Sequence, residues 1–229
     1  MFFFSYLGNN EKQYYTNNRW ENVRCELFPG NSTNGRLIIE AHKEPMENSA
    51  YTSARLKSKG KWTYGRLQIR AKLPAGRGLW PALWMLPEKS THSKTYWPDN
   101  GEIDLMEQVG YEPSRIHSTI HTKAYNHMIN THIVNSVIIS DATSTFKIYT
   151  LDWNANEIQT YAGDDNNPFS ENIFSYKKQG DWTKWPFDKP FFAIMNLAVG
   201  GNWGGLRGID DSVFPARMEI DWVRFYQRR

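Results

Sequence analysis

Short segments in which apolar and polar residues alternate recur along this chain, and turn-forming Gly, Pro, Asn or Asp residues separate them. The clearest is GRLQIRAKLP at residues 65–74, where Leu67, Ile69, Ala71 and Leu73 occupy every second position between charged or amide side chains. Successive side chains of a strand point to opposite faces, so this pattern predicts a strand with one buried face. Long helical periodicity is absent. The chain is therefore predicted to be all-β, as an antiparallel sandwich or barrel.

Further strands are predicted by the same pattern in segments that begin at Gly35, Arg115, Phe146, Phe191 and Met218. Residues 191–199, FFAIMNLAV, are apolar on both faces except for Asn196, which predicts a central strand. The Asn196 amide must then find hydrogen-bond partners or face a wet cleft. No internal repeat or linker interrupts the pattern, so one domain over residues 1–229 is predicted.

Charge and cysteine content exclude several classes of protein. The net charge of +3 is spread along the 229 residues, so no nucleic-acid partner is expected. No apolar run reaches the roughly 18 residues that span a bilayer, so no membrane partner is expected. The opening MFFFSYL is too short for an ordinary secretory signal. Cys25 is the single cysteine, so an intrachain disulfide is excluded. One cysteine does not indicate whether the protein works in an oxidising or a reducing compartment.

Aromatic residues make up 15% of the chain and include ten tryptophans. A core uses some of them. Tryptophans beyond that need often line surfaces that bind flat, partly apolar ligands, because one rigid ring supplies a large contact area.

The segment GEIDLMEQVG at residues 101–110 gathers three carboxylates, Glu102, Asp104 and Glu107. A helix does not suit this segment, since a turn-rich PDNG precedes it and strands surround it. In a regular strand Glu102 and Asp104 share a face, whereas Glu107 points the other way. One β-bulge around Leu105 and Met106 restores the phase, so all three acids are predicted to share one face.

Two glutamates that are four strand steps apart have Cα atoms roughly 13 Å apart. Side chains that lean together approach the separations of about 5 to 9.5 Å between glycosidase carboxyl groups. Clustered acids also drive one another's titrations apart, as a reaction that needs both an acid and a nucleophile requires. Two other interpretations remain open at this point: a solvated outer face of an edge strand, and a calcium site.

The whole stretch WPDNGEIDLMEQVG resembles the active-site strand of glycoside hydrolase family 16, in the branch with the bulged acid motif. Laminarinase-like members of that family resemble further stretches in the same order: NNEKQYYT from Asn9, YTSARLKSKGKWTYGRLQIRAKLPAGRGLWPALWMLP from Tyr51, HSTIHTKAYNH from His117, WPFDKPFFAIMNLAVGGNWGG from Trp185 and MEIDWVRFY from Met218. The resemblance covers nearly the whole chain. It implies a two-sheet jelly roll of the concanavalin A type with a concave cleft, and retaining hydrolysis of internal β-1,3 bonds in β-glucans such as laminarin.

The resemblance also implies roles for individual residues. Glu102 is expected as the nucleophile, Glu107 as the general acid/base, and Asp104 as the residue between them that tunes their pKa values. Substrate contacts are expected from Trp97, Trp80, Trp84, Trp203, Arg77, Asn9, Asn196 and His121.

No cofactor is expected for the chemistry, but members of the family often carry a structural calcium ion on the convex face. Asp221 and the carbonyl of Gly35 occupy the matching positions here. Similar sequences usually begin with one more strand, which supplies another ligand, and that strand is missing from this chain.

Two alternatives to a β-1,3-glucanase remain. Relatives with this fold that have lost the acids bind β-1,3-glucan without cleaving it. This chain keeps all three acids, which weighs against a binding role alone. The same enzyme class also acts on mixed-linkage glucans and on marine galactans. A monomer is expected, and an extracellular or periplasmic location follows from the polymeric substrate although no signal is visible.

Overall fold

The computed structural model describes residues 8–227 and places fifteen β-strands in them. The first eight are β1 Gln13–Tyr15, β2 Val23–Leu27, β3 Gly35–Ala41, β4 Tyr51–Ser53, β5 Arg55–Lys57, β6 Gly65–Lys72, β7 Leu79–Pro87 and β8 Glu102–Glu107. The others are β9 Arg115–His121, β10 Ile133–Ile138, β11 Lys147–Trp153, β12 Glu157–Gly163, β13 Glu171–Lys177, β14 Phe191–Val199 and β15 Ala216–Tyr226. Two 3-10 turns, His127–Ile129 and Asp211–Val213, are the helical elements of the described part. The all-β prediction is confirmed.

Two large antiparallel sheets form the sandwich. One has six strands in the order β10-β9-β8-β7-β14-β5, and the other has seven in the order β13-β12-β11-β6-β15-β3-β2. A short parallel pair, β1 with β4, accompanies them. Every strand segment predicted from the alternation overlaps a strand of this structure.

The core lies between the two sheets. Strand β6 turns Leu67, Ile69 and Ala71 inward, each at most 1% exposed, and the six-stranded sheet supplies Leu83 and Met85 at 0%. Burying an aliphatic side chain of this size contributes about 1.5 to 3 kcal/mol, so the alternating pattern is also the main source of stability. The predicted inward face of β6 is confirmed.

Strand β14 is buried along its full length. It pairs with β7 on one side, from Phe191 to Val199, and with β5 on the other, from Ile194 to Asn196. The central position predicted from its uniformly apolar sequence is confirmed. The cleft-facing side chains of β14 therefore lie in the same sheet as those of the acid strand β8.

Residues 1–7, the opening segment MFFFSYL, lie outside the described residues. Within the described part, no helix has the length and apolar character needed to cross a bilayer. Cys25 is exposed on β2.

Candidate active site

A β-bulge in β8 brings the three carboxylates to one face of the six-stranded sheet. Glu102 pairs with His121 of β9 and Glu107 pairs with His117, so five steps along β8 span four along β9. The register shifts between Asp104 and Glu107, as predicted from the longer second gap. Leu105 and Met106, which contain the extra step, are both 0% exposed because they turn into the core.

Each glutamate accepts a hydrogen bond from an indole. Trp97 Nε1 lies 2.6 Å from Oε2 of Glu102, and Trp80 Nε1 lies 3.0 Å from Oε1 of Glu107. Trp97 belongs to the loop before β8, whereas Trp80 lies on β7. The two acids are thus oriented from two different elements, and both indoles lie on the face that carries the acids.

Asp104 lies between the glutamates and is 2% exposed. Its Oδ2 lies 3.4 Å from Nε2 of His121, and single ligand atoms of Glu102, Asp104 and His121 lie within 4.8 Å of one another. These are the described residues whose donor atoms come close enough to hold a metal ion as a group. Because His121 opposes Glu102 across the strand pair, it also brings a nitrogen close to two carboxyl groups.

Burial and mutual repulsion raise the pKa of all three acids. Burial is the main cause for Glu102, with the charge of Asp104 second, and it holds the pKa of Glu102 well above its usual range. The pKa of Asp104 is raised well above its usual range by burial and then by Glu107. Burial raises the pKa of Glu107 to about 7, against the opposing effects of His121 and the Trp80 N–H. A carboxyl with this pKa stays protonated in mildly acidic solution, as a general acid must.

Trp84 lies beside Asp104 in the sheet register and points to the same face. Its Nε1 donates to Oδ1 of Asn196 at 2.7 Å, and the Asn196 amide donates to the Tyr15 hydroxyl at 3.1 Å. Asn196 is only 4% exposed. The prediction that this amide needs partners is confirmed. Since both ends of the amide are bonded within the protein, Asn196 orients Trp84 here and its substrate contact stays a prediction.

Trp203, in the loop after β14, packs edge-on against Trp80 with ring centroids 5.4 Å apart. Its ring also meets His117 at 4.9 Å. His117 lies opposite Glu107, and the sequence interpretation assigned it no role. His117 and His121 are four residues apart on one strand, a spacing that places both on one face, so the signal was present in RIHSTIH.

Arg77 and Asn9 lie at the end of the site that Trp203 occupies. Arg77 donates to the carbonyl of Arg207 at 3.0 Å and lines an open recess of about 600 Å³ with Tyr111. The backbone carbonyl of Asn9 accepts from the N–H of Asn202 at 2.8 Å. Neither residue contacts the acids, and their substrate contacts stay a prediction.

The two residues expected at a calcium ion, Gly35 and Asp221, line one recess of about 480 Å³. However, Oδ2 of Asp221 accepts a hydrogen bond from Arg70 at 2.9 Å. Calcium takes six to eight oxygen ligands, and among the described lining residues Asp221 is the single carboxylate. The described residues do not by themselves fit a calcium ion.

Paired carboxyl groups on one face of a sheet, one of them with a raised pKa, are the groups that glycoside hydrolysis uses. The family model for Glycosyl hydrolases family 16 matches residues 10–224. The chain belongs to this family and is a glycoside hydrolase.

Named relatives agree with that assignment. A beta-glucanase of Rhodothermus marinus is 49% identical over 222 residues, which cover 96% of this chain and 75% of the relative. A glucan endo-1,3-beta-glucosidase of Cryptopygus antarcticus is 36% identical over 216 residues, 90% of this chain and 75% of the relative. The X-ray structure of the laminarinase from Rhodothermus marinus superposes with a TM-score of 0.87 at 46% identity, covering 96% of this chain and 85% of that one.

Proposed function

We propose that this protein is an endo-acting, retaining glycoside hydrolase that cleaves internal β-1,3-glucosidic bonds of β-glucans such as laminarin. The observation that carries the proposal is the bulged strand β8, which turns Glu102 and Glu107 to the same face with a buried Asp104 between them. Relatives named for β-1,3-glucan cleavage support the substrate class.

In the first step, Glu107 donates its proton to the glycosidic oxygen while a carboxylate oxygen of Glu102 attacks the anomeric carbon. The carbon–oxygen bond to the leaving sugar breaks, and a glycosyl ester of Glu102 forms. In the second step, Glu107 takes a proton from water, the water oxygen attacks the same carbon, and the ester breaks. Glu102 is released as a carboxylate and Glu107 is protonated again, so the protein's own groups complete the cycle.

Each glutamate has neighbours that bear on the role proposed for it. Burial and the charge of Asp104 hold the pKa of Glu102 well above its usual range, and the Trp97 N–H opposes them by favouring the charged form that the nucleophile needs. Glu107 has a pKa raised to about 7, which keeps its proton available at mildly acidic pH. Asp104 tunes this pair, because its charge and the hydrogen bond that it shares with Glu102 both raise the pKa of Glu102.

The partly exposed tryptophans fit a sugar polymer. A pyranose ring presents C–H groups on its faces and hydroxyls on its rim, so an indole stacks on the face while polar groups bind the rim. Trp80, Trp84, Trp97 and Trp203 are all partly exposed near the acids and serve as platforms in this proposal.

The proposal is tested by digesting laminarin, lichenan, agarose and carrageenan side by side and identifying the products. We expect oligosaccharides from laminarin early in the reaction, because an endo enzyme cuts within the chain. Proton NMR of the first product should show the β-anomer before mutarotation. An α-anomer would contradict retention, and cleavage of agarose or carrageenan alone would contradict the substrate class.

A binding module without activity is the second candidate. The intact acid set argues against it, since binding a glucan needs no acid with a pKa near 7. Binding to laminarin with no release of reducing ends would favour the module.

The proposal also includes an extracellular or periplasmic location and a monomeric state, because a polymer is degraded outside the cell membrane and each chain carries its own pair of acids. Cell fractionation and light scattering after gel filtration test these two points. Cytoplasmic retention or a stable dimer would contradict them.

A further inference from the structure

Lys189 is a buried lysine just before β14. Lys189 is 6% exposed, and its Nζ donates to the carbonyl of Pro186 at 2.6 Å and to that of Asn100 at 3.3 Å. A buried ammonium group is costly unless it is hydrogen-bonded, so these two carbonyls are what holds it there. Burial lowers the pKa of Lys189 to about 8. The carboxylate paired with it, Asp188, is 3.8 Å away on a side chain that is 45% exposed.

Asn100, at the other end of this contact, organises the loop before the acid strand. It is 0% exposed, and its side-chain oxygen accepts from the backbone N–H groups of Thr91 and His92 at 2.9 and 3.1 Å. Its side-chain nitrogen donates to the carbonyls of Ser93 and Thr95 at 3.1 and 2.8 Å. Four bonds from one buried amide hold the loop at residues 91–95.

The same loop delivers Trp97 to the nucleophile. The Asn100 N–H donates to the carbonyl of Tyr96, the residue before Trp97, at 3.2 Å. Gly101 follows with a φ of +94°, and a Cβ at that position would lie 3.0 Å from Pro186. Lys189 therefore bridges the Pro186 segment and the turn that leads from Trp97 into Glu102.

We propose that Lys189 is a positioning residue for Glu102, which acts through Asn100 and the Trp97 indole rather than by touching the substrate. This inference rests on the proposed function in that Glu102 is the nucleophile. The ammonium group clamps the backbone of Asn100, the amide of Asn100 holds the loop, and the loop holds the Trp97 N–H at 2.6 Å from Glu102. No group in this series moves a proton during the reaction.

The experiment compares Lys189→Met, which keeps the length of the stem but removes the donor, with Lys189→Gln, which keeps one donor group. Lys94→Met, an exposed lysine of the same loop, is the matched control. We expect kcat of the Met variant to fall about 10- to 100-fold with KM changed less than about 3-fold, since small misplacements of reacting groups cost this much. The Gln variant should lose less than the Met variant, and the control should keep the wild-type rate.

The pH profile separates positioning from a general loss of structure. The Trp97 N–H lowers the pKa of Glu102, so a displaced indole moves the acidic limb of kcat/KM to higher pH. Asp104, Glu107, His121 and the Tyr96 hydroxyl also face or influence Glu102, and they are unchanged in the variants. A Met variant with the wild-type kcat and acidic limb would overturn the proposal.

A readout without substrate keeps this test apart from the proposed function. In nitrogen-15 NMR spectra, the Trp97 indole N–H signal should move in Lys189→Met and stay in Lys94→Met, whatever polymer the enzyme cleaves. Should the Met variant not fold, Lys189→Gln is combined with Trp97→Phe. If the fold-losses in kcat of the two single variants multiply in the double variant, the two residues act independently and the proposal is overturned. A double variant with the same kcat as Trp97→Phe alone would support the proposal.

Discussion

The indole N–H of Trp80 donates to Oε1 of Glu107 across 3.0 Å, from a strand that pairs directly with the acid strand. A neutral donor at this distance stabilises the charged form of the carboxyl without adding a charge of its own. It opposes the effect of burial, which raises the pKa of Glu107 to about 7. We therefore expect Trp80 to influence the protonation of Glu107 in addition to any stacking against sugar.

Replacing Trp80 with Phe should move the alkaline limb of the pH–rate profile to higher pH. The wild-type rate should fall as pH rises through about 7, because Glu107 must be protonated to act as the acid. Without the indole donor the pKa of Glu107 rises, so the protonated form persists to higher pH. Initial rates on a soluble β-glucan, measured across both limbs of the profile, test this shift.

Trp222→Phe is the control for that experiment, because Trp222 lies on β15 in the other sheet. Its profile should match the wild type. A Trp80→Phe limb that stays in place or moves to lower pH would show that the indole does not bond Glu107 in solution.

The two glutamates should respond differently to an added nucleophile. Glu107→Ala should lower kcat by about 10²- to 10⁴-fold, the range for a lost acid–base group, and Glu102→Ala, which removes the nucleophile, should lower it at least as much. Azide occupies the space left by Glu102 and attacks from that side, which gives a glycosyl azide of inverted configuration. In Glu107→Ala, azide attacks the glycosyl ester of Glu102 and gives the retained configuration when the substrate has a good leaving group.

Product NMR distinguishes the two azides. Inverted azide from the Glu107 variant and retained azide from the Glu102 variant would exchange the roles assigned here.

Glu107→Gln should stabilise the fold at neutral and alkaline pH. The pKa of Glu107 is about 7 in the folded protein and 4.5 as the ordinary value, so the folded state binds more protons than the unfolded state between these pH values. Stability from this group is present below about pH 4.5 and is lost as pH rises to about 7. The neutral amide avoids that loss, which we expect to be worth about 1 to 3 kcal/mol at a pH of about 8.

Urea unfolding of the wild type and of Glu107→Gln measures this difference in stability at two pH values. The difference should be small at a pH equal to the ordinary pKa of 4.5 and large at a pH of about 8. Glu112→Gln is the control, since its exposed ion pair with Arg115 should contribute less than about 1 kcal/mol. If the Glu107→Gln variant and the wild type were equally stable at the higher pH, Glu107 would not be destabilising when charged.

Much of the fold could be predicted from local pattern. Alternation of apolar and polar residues indicates which side chains share a face of a strand, and an odd spacing between side chains on one face indicates a β-bulge. The odd gap between Asp104 and Glu107 was sufficient to predict the irregularity of β8, since an even period cannot bring both to one face. The isolated polar residue of β14, Asn196, likewise signalled a need for partners. These are properties of single strands, so one segment of sequence contains them.

The partners themselves could not be predicted in this way. Asn196 meets Trp84 and Tyr15, which are 112 and 181 residues away in sequence, and the order of strands in the sheet decides those contacts. Lys189 donates to two backbone carbonyls, and because every residue has a backbone carbonyl, no pattern of side chains in the sequence predicts these bonds. The alternation predicts which residues share a face but not which strands are neighbours. The assembly of the site depends on the order of the strands in the sheet.

The link between Asn196 and Trp84 provides a final test of the site. Asn196→Leu removes the acceptor of the Trp84 N–H and one of the two side-chain hydrogen bonds of the Tyr15 hydroxyl, which keeps its bond to Arg55, so the loss should cost about 1 to 3 kcal/mol of stability. If Trp84 is a sugar platform, its loss of orientation weakens ground-state and transition-state binding alike, so KM should rise several-fold with kcat changed less.

Tyr15→Phe, which removes only the more distant hydroxyl, should show a smaller rise in KM. Steady-state kinetics and urea unfolding of both variants separate the two effects. A Leu variant that is destabilised but keeps the wild-type KM would mean that Asn196 supports the fold and that the orientation of Trp84 does not matter for substrate binding.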